Sequence, residues 1–163
     1  MFNLSELARG GTMCLSKAGL TSSTPDTAVD IVGAGAETGV HFAINGILYY
    51  KADAADIAIT AAAVQPALYT CIYLVTLTTA GVLATVKGTQ VLTADIASGK
   101  SVLTWPMPAE DTCPIGAFKM VTATGYTFTA GTNQLDDTGC TATYCDLMCV
   151  PDQPVTSEWN PFA

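Results

Sequence analysis

"HFAINGILYY", residues 41–50, decides how the rest of the chain is read. Two apolar, β-favouring runs, 42–44 and 47–50, are separated by Asn45-Gly46 alone. Both central residues of a type I′ turn need positive φ, which Asn and Gly adopt at least cost. The stretch therefore predicts a two-residue β-hairpin.

A second hairpin is predicted directly downstream. "TCIYLVTL" (70–77) alternates Cys71, Tyr73, Val75 and Leu77 against Thr70, Ile72, Leu74 and Thr76, and "GVLATVKGT" (81–89) returns after the Thr79-Ala80-Gly81 turn. Neither face is strongly polar, which predicts a sheet covered on both sides. Further short strands are read in "SVLTW" (101–105), "GAFKMVTA" (116–123), "YTFT" (126–129) and "CTATYCDLMCV" (140–150). Turn-rich stretches such as "PMPAEDTCP" and "TAGTNQLDDTG" lie between them. In 52–65, "ADAADIAITAAAVQ", alanine favours helix while "DIAIT" alternates like a strand. A strand at 56–60 followed by a loop or short helical turn is expected.

The expected fold is all-β: an antiparallel β-sandwich or jelly-roll-like domain over residues 38–151. Residues 1–37 show no sustained periodicity, and the tail from 152 to 163 carries two prolines directly after Pro151. Both are read as extended arms that need a surface to lie on. Trp159 and Phe162 are the candidate partner-contact residues, as anchors in a neighbouring subunit; the competing reading folds them back onto their own core.

Composition narrows the function classes. Half of the 163 residues are hydrophobic, only 12% are charged, and the formal net charge is −8. That allows a large core and argues against wholesale disorder. Arg9 and five lysines are scattered singly, whereas phosphate binding needs clustered cations, so neither nucleic acid nor an anionic membrane surface is an expected partner. The N-terminus lacks a basic region followed by an apolar run, so no secretory signal is read and synthesis in a cytoplasm is expected. The stretch 57–86 has no charged side chain, but Gln65, Pro66, several threonines and an internal turn favour buried strands over a membrane helix.

The six cysteines raise the question of a metal, a disulfide or a redox centre. On a regular strand Cys145 and Cys149 share a face about 13 Å apart, with Cys140 on the other face. A disulfide needs Cα atoms within about 7 Å, and three such sulfurs do not converge on one zinc. Small buried hydrophobes are the expected role, with a cross-strand bridge from Cys71 or Cys113 left open. His41 is the single histidine and has no visible catalytic company. "VGAGAETG" (32–39) departs from a dinucleotide loop, because its last glycine is one residue late and a strand follows. Glu110-Asp111 and Asp136-Asp137 lack the alternation of a calcium loop and read as solvated loop charges. No catalytic residue, metal or cofactor is assigned.

"FAINGILYYKADAADIAITAAA", "CIYLVTLTTAGVLATVKGTQVL" and "WPMPAEDTCPIGAFKMVTATGYTFTAGTNQL" together resemble structural proteins of tailed-bacteriophage virions. The pattern is an aromatic-rich NG-x-x-Y-x-K-A hairpin, a C-x-Y-L-V strand, and a P-x-G step leading to a T-F-x-x-G-T turn, spanning about 40–150. The resemblance implies a capsid decoration (cement) protein without enzymatic activity. It also implies a location on the outer surface of the virion, with the major capsid protein as partner and self-association as a homotrimer. Competing expectations are a tail, neck or head-fibre component, or a carbohydrate-binding β-sandwich using Trp105, Tyr126 or Trp159 as stacking platforms.

Overall fold

A computed structural model describes residues 11–23, 27–33, 38–156 and 160–162. Its centre is one antiparallel sheet built on two long strands, β7 (Tyr69–Thr78) and β10 (Thr112–Thr122). β11 (Cys140–Asp146) extends it beside β10, while β8 (Leu83–Lys87) and then β9 (Val91–Leu92) pair with the other edge of β7. The remaining strands form two three-stranded sheets. One has the order β1 (Met13–Cys14), β4 (Val40–Ile44), β5 (Ile47–Lys51); the other has the order β2 (Leu20–Ser22), β3 (Ala28–Ile31), β6 (Ala54–Ala58). The described residues hold one short helix, α1 (Thr93–Ala97).

The period-2 pattern of β7 explains the layering. Cys71, Tyr73, Val75 and Leu77 point into a large core closed by Cys14, Phe42 and Ile44 of one small sheet and by Val29 and Ile31 of the other. Ile72 and Leu74 point the opposite way, into a second core. There Leu103, Leu147, Val155 and Phe162 cover the central sheet with irregular chain and α1. The central sheet is therefore buried on both faces, as the unpolarised pattern of 70–77 predicts. The architecture is β-sandwich-like and antiparallel, with a third layer of loops.

β10 keeps its apolar face inward by means of a bulge. Pro114 opposes Thr76 and Gly116 opposes Val75, leaving Ile115 as the extra residue. Side-chain parity flips there: Cys113 and Ile115 face the large core before the bulge, Phe118 and Met120 after it. A side chain at Gly116 would run into Leu20, so glycine lets β2 approach. Phe118 opposes Tyr73, their rings stacked 4.8 Å apart at 4°, and Phe128 meets Tyr73 edge-on at 5.8 Å. Such pairs contribute roughly 0.5–1.5 kcal/mol beyond their buried area.

Several expectations are corrected. The described part of 1–37 is not an arm. It supplies β1, β2 and β3, and Cys14, Ala18, Val29 and Ile31 are completely buried. Side chains supply much of the attachment: Ser16 Oγ accepts from the His41 amide at 2.9 Å, and Thr12 Oγ1 accepts from the Asn45 amide at 3.1 Å. Val155 and Phe162 of the tail likewise belong to the second core. Residues 101–105 and 126–129 form only isolated bridges, Leu103 with Val155 and Phe128 with Gln65. The strand expected at 56–60 lies at 54–58 with no helical turn after it, and β11 stops at Asp146 rather than running to 150. The hairpin reading of 41–50 is met: Asn45 and Gly46 have φ of 53° and 78°.

Candidate functional site

A groove of about 620 Å³ lies where three separate segments meet: 11–13 at the start of β1, 102–107, and 148–154 beyond β11. The Cys14 amide donates to the Met148 carbonyl at 2.8 Å, which fixes the first segment against the third. The Leu103–Val155 bridge and a bond from Trp105 Nε1 to the Gln153 carbonyl at 3.0 Å fix the second. Met13, Met107 and Met148 line this groove at 42%, 74% and 62% exposure. The fourth described methionine, Met120, is fully buried, so every exposed methionine among the described residues lies here. Clustered exposed methionines make an adaptable apolar surface.

Met13 also joins the groove to the outer face of the β1–β4–β5 sheet. It opposes Ala43, which opposes Leu48, and His41 opposes Tyr50 in the neighbouring row. Leu48 and Tyr50 are 71% and 51% exposed. β5 is an edge strand of its sheet. Ile44 and Ile47 flank the two-residue turn as a hydrogen-bonded pair, so the antiparallel alternation turns the amides and carbonyls of Leu48 and Tyr50 away from β4. The result is an apolar patch with backbone hydrogen-bonding groups along one border.

Of the residues singled out from sequence, Trp105 and Cys149 line the groove and His41 lies on the outer sheet face, while the others fall elsewhere. Phe162 is 5% exposed, stacked on Trp105 at 5.7 Å with Lys119 Nζ 5.4 Å from its ring centroid. Its contacts are within its own chain, the competing reading for this residue. Burial lowers the Lys119 amine below its usual range. Trp159 lies outside the described residues. Tyr126 donates to Asp137 Oδ2 at 3.0 Å; burial first, then this bond, raises the phenol to about 12, and the same bond lowers the Asp137 carboxyl. Asp111 accepts from Asn45 Nδ2 at 2.7 Å and so braces the hairpin turn. His41 sits beside the Tyr50 ring, 4.8 Å between centroids.

The described residues contain no disulfide, and no cluster of three or more His, Cys, Asp or Glu suited to a metal. Cys140 belongs to the large core and Cys145 to the second, on opposite faces of β11 as strand geometry predicts. Burial pushes the thiols of Cys14 and Cys71 up to about 11, and those of Cys113 and Cys145 to about 12. These are packing groups held protonated. Cys149, beyond the strand end, is exposed and lines the groove. No helix among the described residues is long and apolar enough to cross a membrane; the uncharged stretch 57–86 contributes to β6, β7 and β8.

The patch escaped sequence reading because it is assembled from segments remote in sequence, around Met13, Leu48, Met107 and Met148. Comparison with protein-family models, curated proteins and solved structures gave no match.

Proposed function

We propose that this chain is a contact protein of a bacteriophage capsid, a decoration or cement protein bound on the outer shell across major capsid protein subunits and self-associated as a trimer. The virion assignment rests on the resemblance of residues 40–150. The observation that carries the contact role is the exposed apolar surface that runs from Met107 and Met148 through Met13 to Leu48 and Tyr50. Apolar patches of this kind on a folded domain mark interaction surfaces. Covering them contributes roughly 25 cal/mol per Å² before association costs. Repetition by closed three-fold symmetry multiplies each contact at a shell junction.

The test is a comparison of shells assembled with and without the chain. The proposal expects shells lacking it to open at lower temperature or internal pressure. Equal resistance overturns the cementing role.

A further inference from the structure

We infer that β5 pairs edge to edge with β5 of a second copy of this chain, across a two-fold axis. The inference does not need the virion reading. Its first support is that other edges of these sheets are closed or broken, as sheets in native proteins are, and β5 is not. The Cys14 amide of β1 donates to the Met148 carbonyl at 2.8 Å, and the Leu20 amide of β2 donates to Asp146 Oδ1 at 3.3 Å. Along β8, the Thr85 amide donates to Thr60 Oγ1 at 3.0 Å. β6 is kinked at Asp56, which has φ 56° and whose amide donates to Asp30 Oδ1 at 2.8 Å. β11 carries no exposed large apolar side chain. In β5, by contrast, Ile47, Leu48 and Tyr50 are exposed, and no proline, bulge or acid interrupts the strand. The outward amides and carbonyls of Leu48 and Tyr50 have no backbone partner among the described residues.

The second support is that this edge is its own complement. With Tyr49 facing Tyr49 across an antiparallel junction, Leu48 of each copy opposes the partner's Tyr50. The residues whose hydrogen-bonding groups point outward then meet only one another, and each of the two pairs exchanges both N–H···O bonds. Neighbouring registers do worse. Leu48 against Leu48 carries Tyr50 onto Gly46 in the turn, and Tyr50 against Tyr50 carries Leu48 onto Ala52 beyond the strand.

Charge is the third support. The chain holds fourteen acids against six cations, yet β5 has no acid, and its one charged residue, Lys51, opposes the partner's Ile47. Two anionic copies therefore meet here without acid against acid. The same register sets Leu48 and Tyr50 of both copies side by side, which joins their two apolar patches into one face. A junction of five residues a side is far smaller than the roughly 20–30 of a standard interface, so the pairing is weak in dilute solution and grows with concentration. A two-fold contact does not close a three-fold ring, so β5 links copies outside the proposed trimer.

Amide hydrogen exchange of the full chain at two concentrations, with sedimentation of the same samples, tests this. A dissociation constant of order 0.1 mM leaves about 20% monomer at about 1 mM, so the Leu48 and Tyr50 amides are expected to exchange about fourfold slower there than at about 10 µM. Sedimentation is expected to show a matching rise in a two-copy species. Leu48→Pro removes an outward donor and is expected to abolish the slowing at Tyr50. Leu48→Asp keeps the backbone, sets an acid in each copy's edge, and is expected to weaken the association at least tenfold. Equal exchange at the two concentrations in a monomeric sample overturns the inference. So does a trimer whose Leu48 and Tyr50 amides stay fast, since that places self-contact elsewhere.

Discussion

Replacing Gln65 by leucine tests how the long loop after β6 is locked to the central sheet. Gln65 is fully buried, and its backbone pairs with Phe128. Its side-chain amide donates to the Tyr69 carbonyl at 2.8 Å and the Met120 carbonyl at 3.1 Å, while Oε1 accepts from the Tyr73 hydroxyl at 3.4 Å. Leucine keeps most of the volume and deletes all three bonds. The Tyr69 carbonyl keeps a share of the Thr122 hydroxyl at 3.0 Å, whose shorter bond, 2.7 Å, goes to the Pro66 carbonyl. The larger penalty falls on the Tyr73 hydroxyl, stranded beside Phe118 and Phe128 in the large core. A stranded buried polar group costs about 1–3 kcal/mol and each of the two further net bonds about 0.5 kcal/mol, the low end for neutral partners, so Gln65→Leu is expected to cost about 2–4 kcal/mol. At about 2–4 °C per kcal/mol for a chain this size, the melting temperature falls by roughly 5–15 °C. Urea unfolding with an unchanged slope is the assay. Adding Tyr73→Phe removes the stranded hydroxyl, so the double variant is expected to recover about 1 kcal/mol or more relative to additivity. A loss below about 1 kcal/mol, or strict additivity with Tyr73→Phe, refutes the reasoning.

Leu48→Asp on the open sheet face is expected to change folding stability by less than about 0.5 kcal/mol, because the side chain is 71% exposed, while weakening association at least tenfold in sedimentation or shell-binding assays. Gly39→Ala is expected to cost more than about 2 kcal/mol, since φ is +74° and the new Cβ collides with the Lys51 carbonyl oxygen. Gly99→Ala, at φ +72° with nothing nearby, is expected to cost only the conformational strain of about 1–2 kcal/mol; thermal denaturation separates the two. Stability is also expected to fall above pH 9. The folded thiols of Cys14, Cys71 and Cys113 ionise near 11, 11 and 12, above the ordinary value of 9.0, so above pH 9 the unfolded chain releases protons that the folded chain retains. Each contributes roughly 1.4 kcal/mol of lost stability by pH 10, and urea titrations at pH 8 and 10 read the difference.

The parts of the fold legible in sequence are those whose information is local. Asn45-Gly46 dictates its turn by backbone conformation alone, and the alternation in 70–77 assigns inward and outward faces without knowledge of the partners. The N-terminal strands were read as an arm because β1, β2 and β3 have only two to four residues each, too few for a period to show. Their pairing is mostly remote, Met13 with Ala43 and Val29 with Ile57, and remote side chains complete it, as where the Leu20 amide donates to Asp146 Oδ1 at 3.3 Å. The start of β10 was missed because Pro114 and the parity change at the bulge break the alternation on which a strand is recognised. The apolar patch was hidden for another reason. A methionine in sequence carries no mark of exposure, and only the meeting of 11–13, 102–107 and 148–154 brings three to one surface.

Amide hydrogen exchange at Leu48 and Tyr50, compared between the free chain and the chain bound on shells, puts the covered-surface claim to its most direct test. Both amides point away from β4 along the open edge, so they are expected to exchange rapidly in the free chain and to slow markedly on the shell. Equal exchange in the two states contradicts the account, because the face on which it depends stays in water.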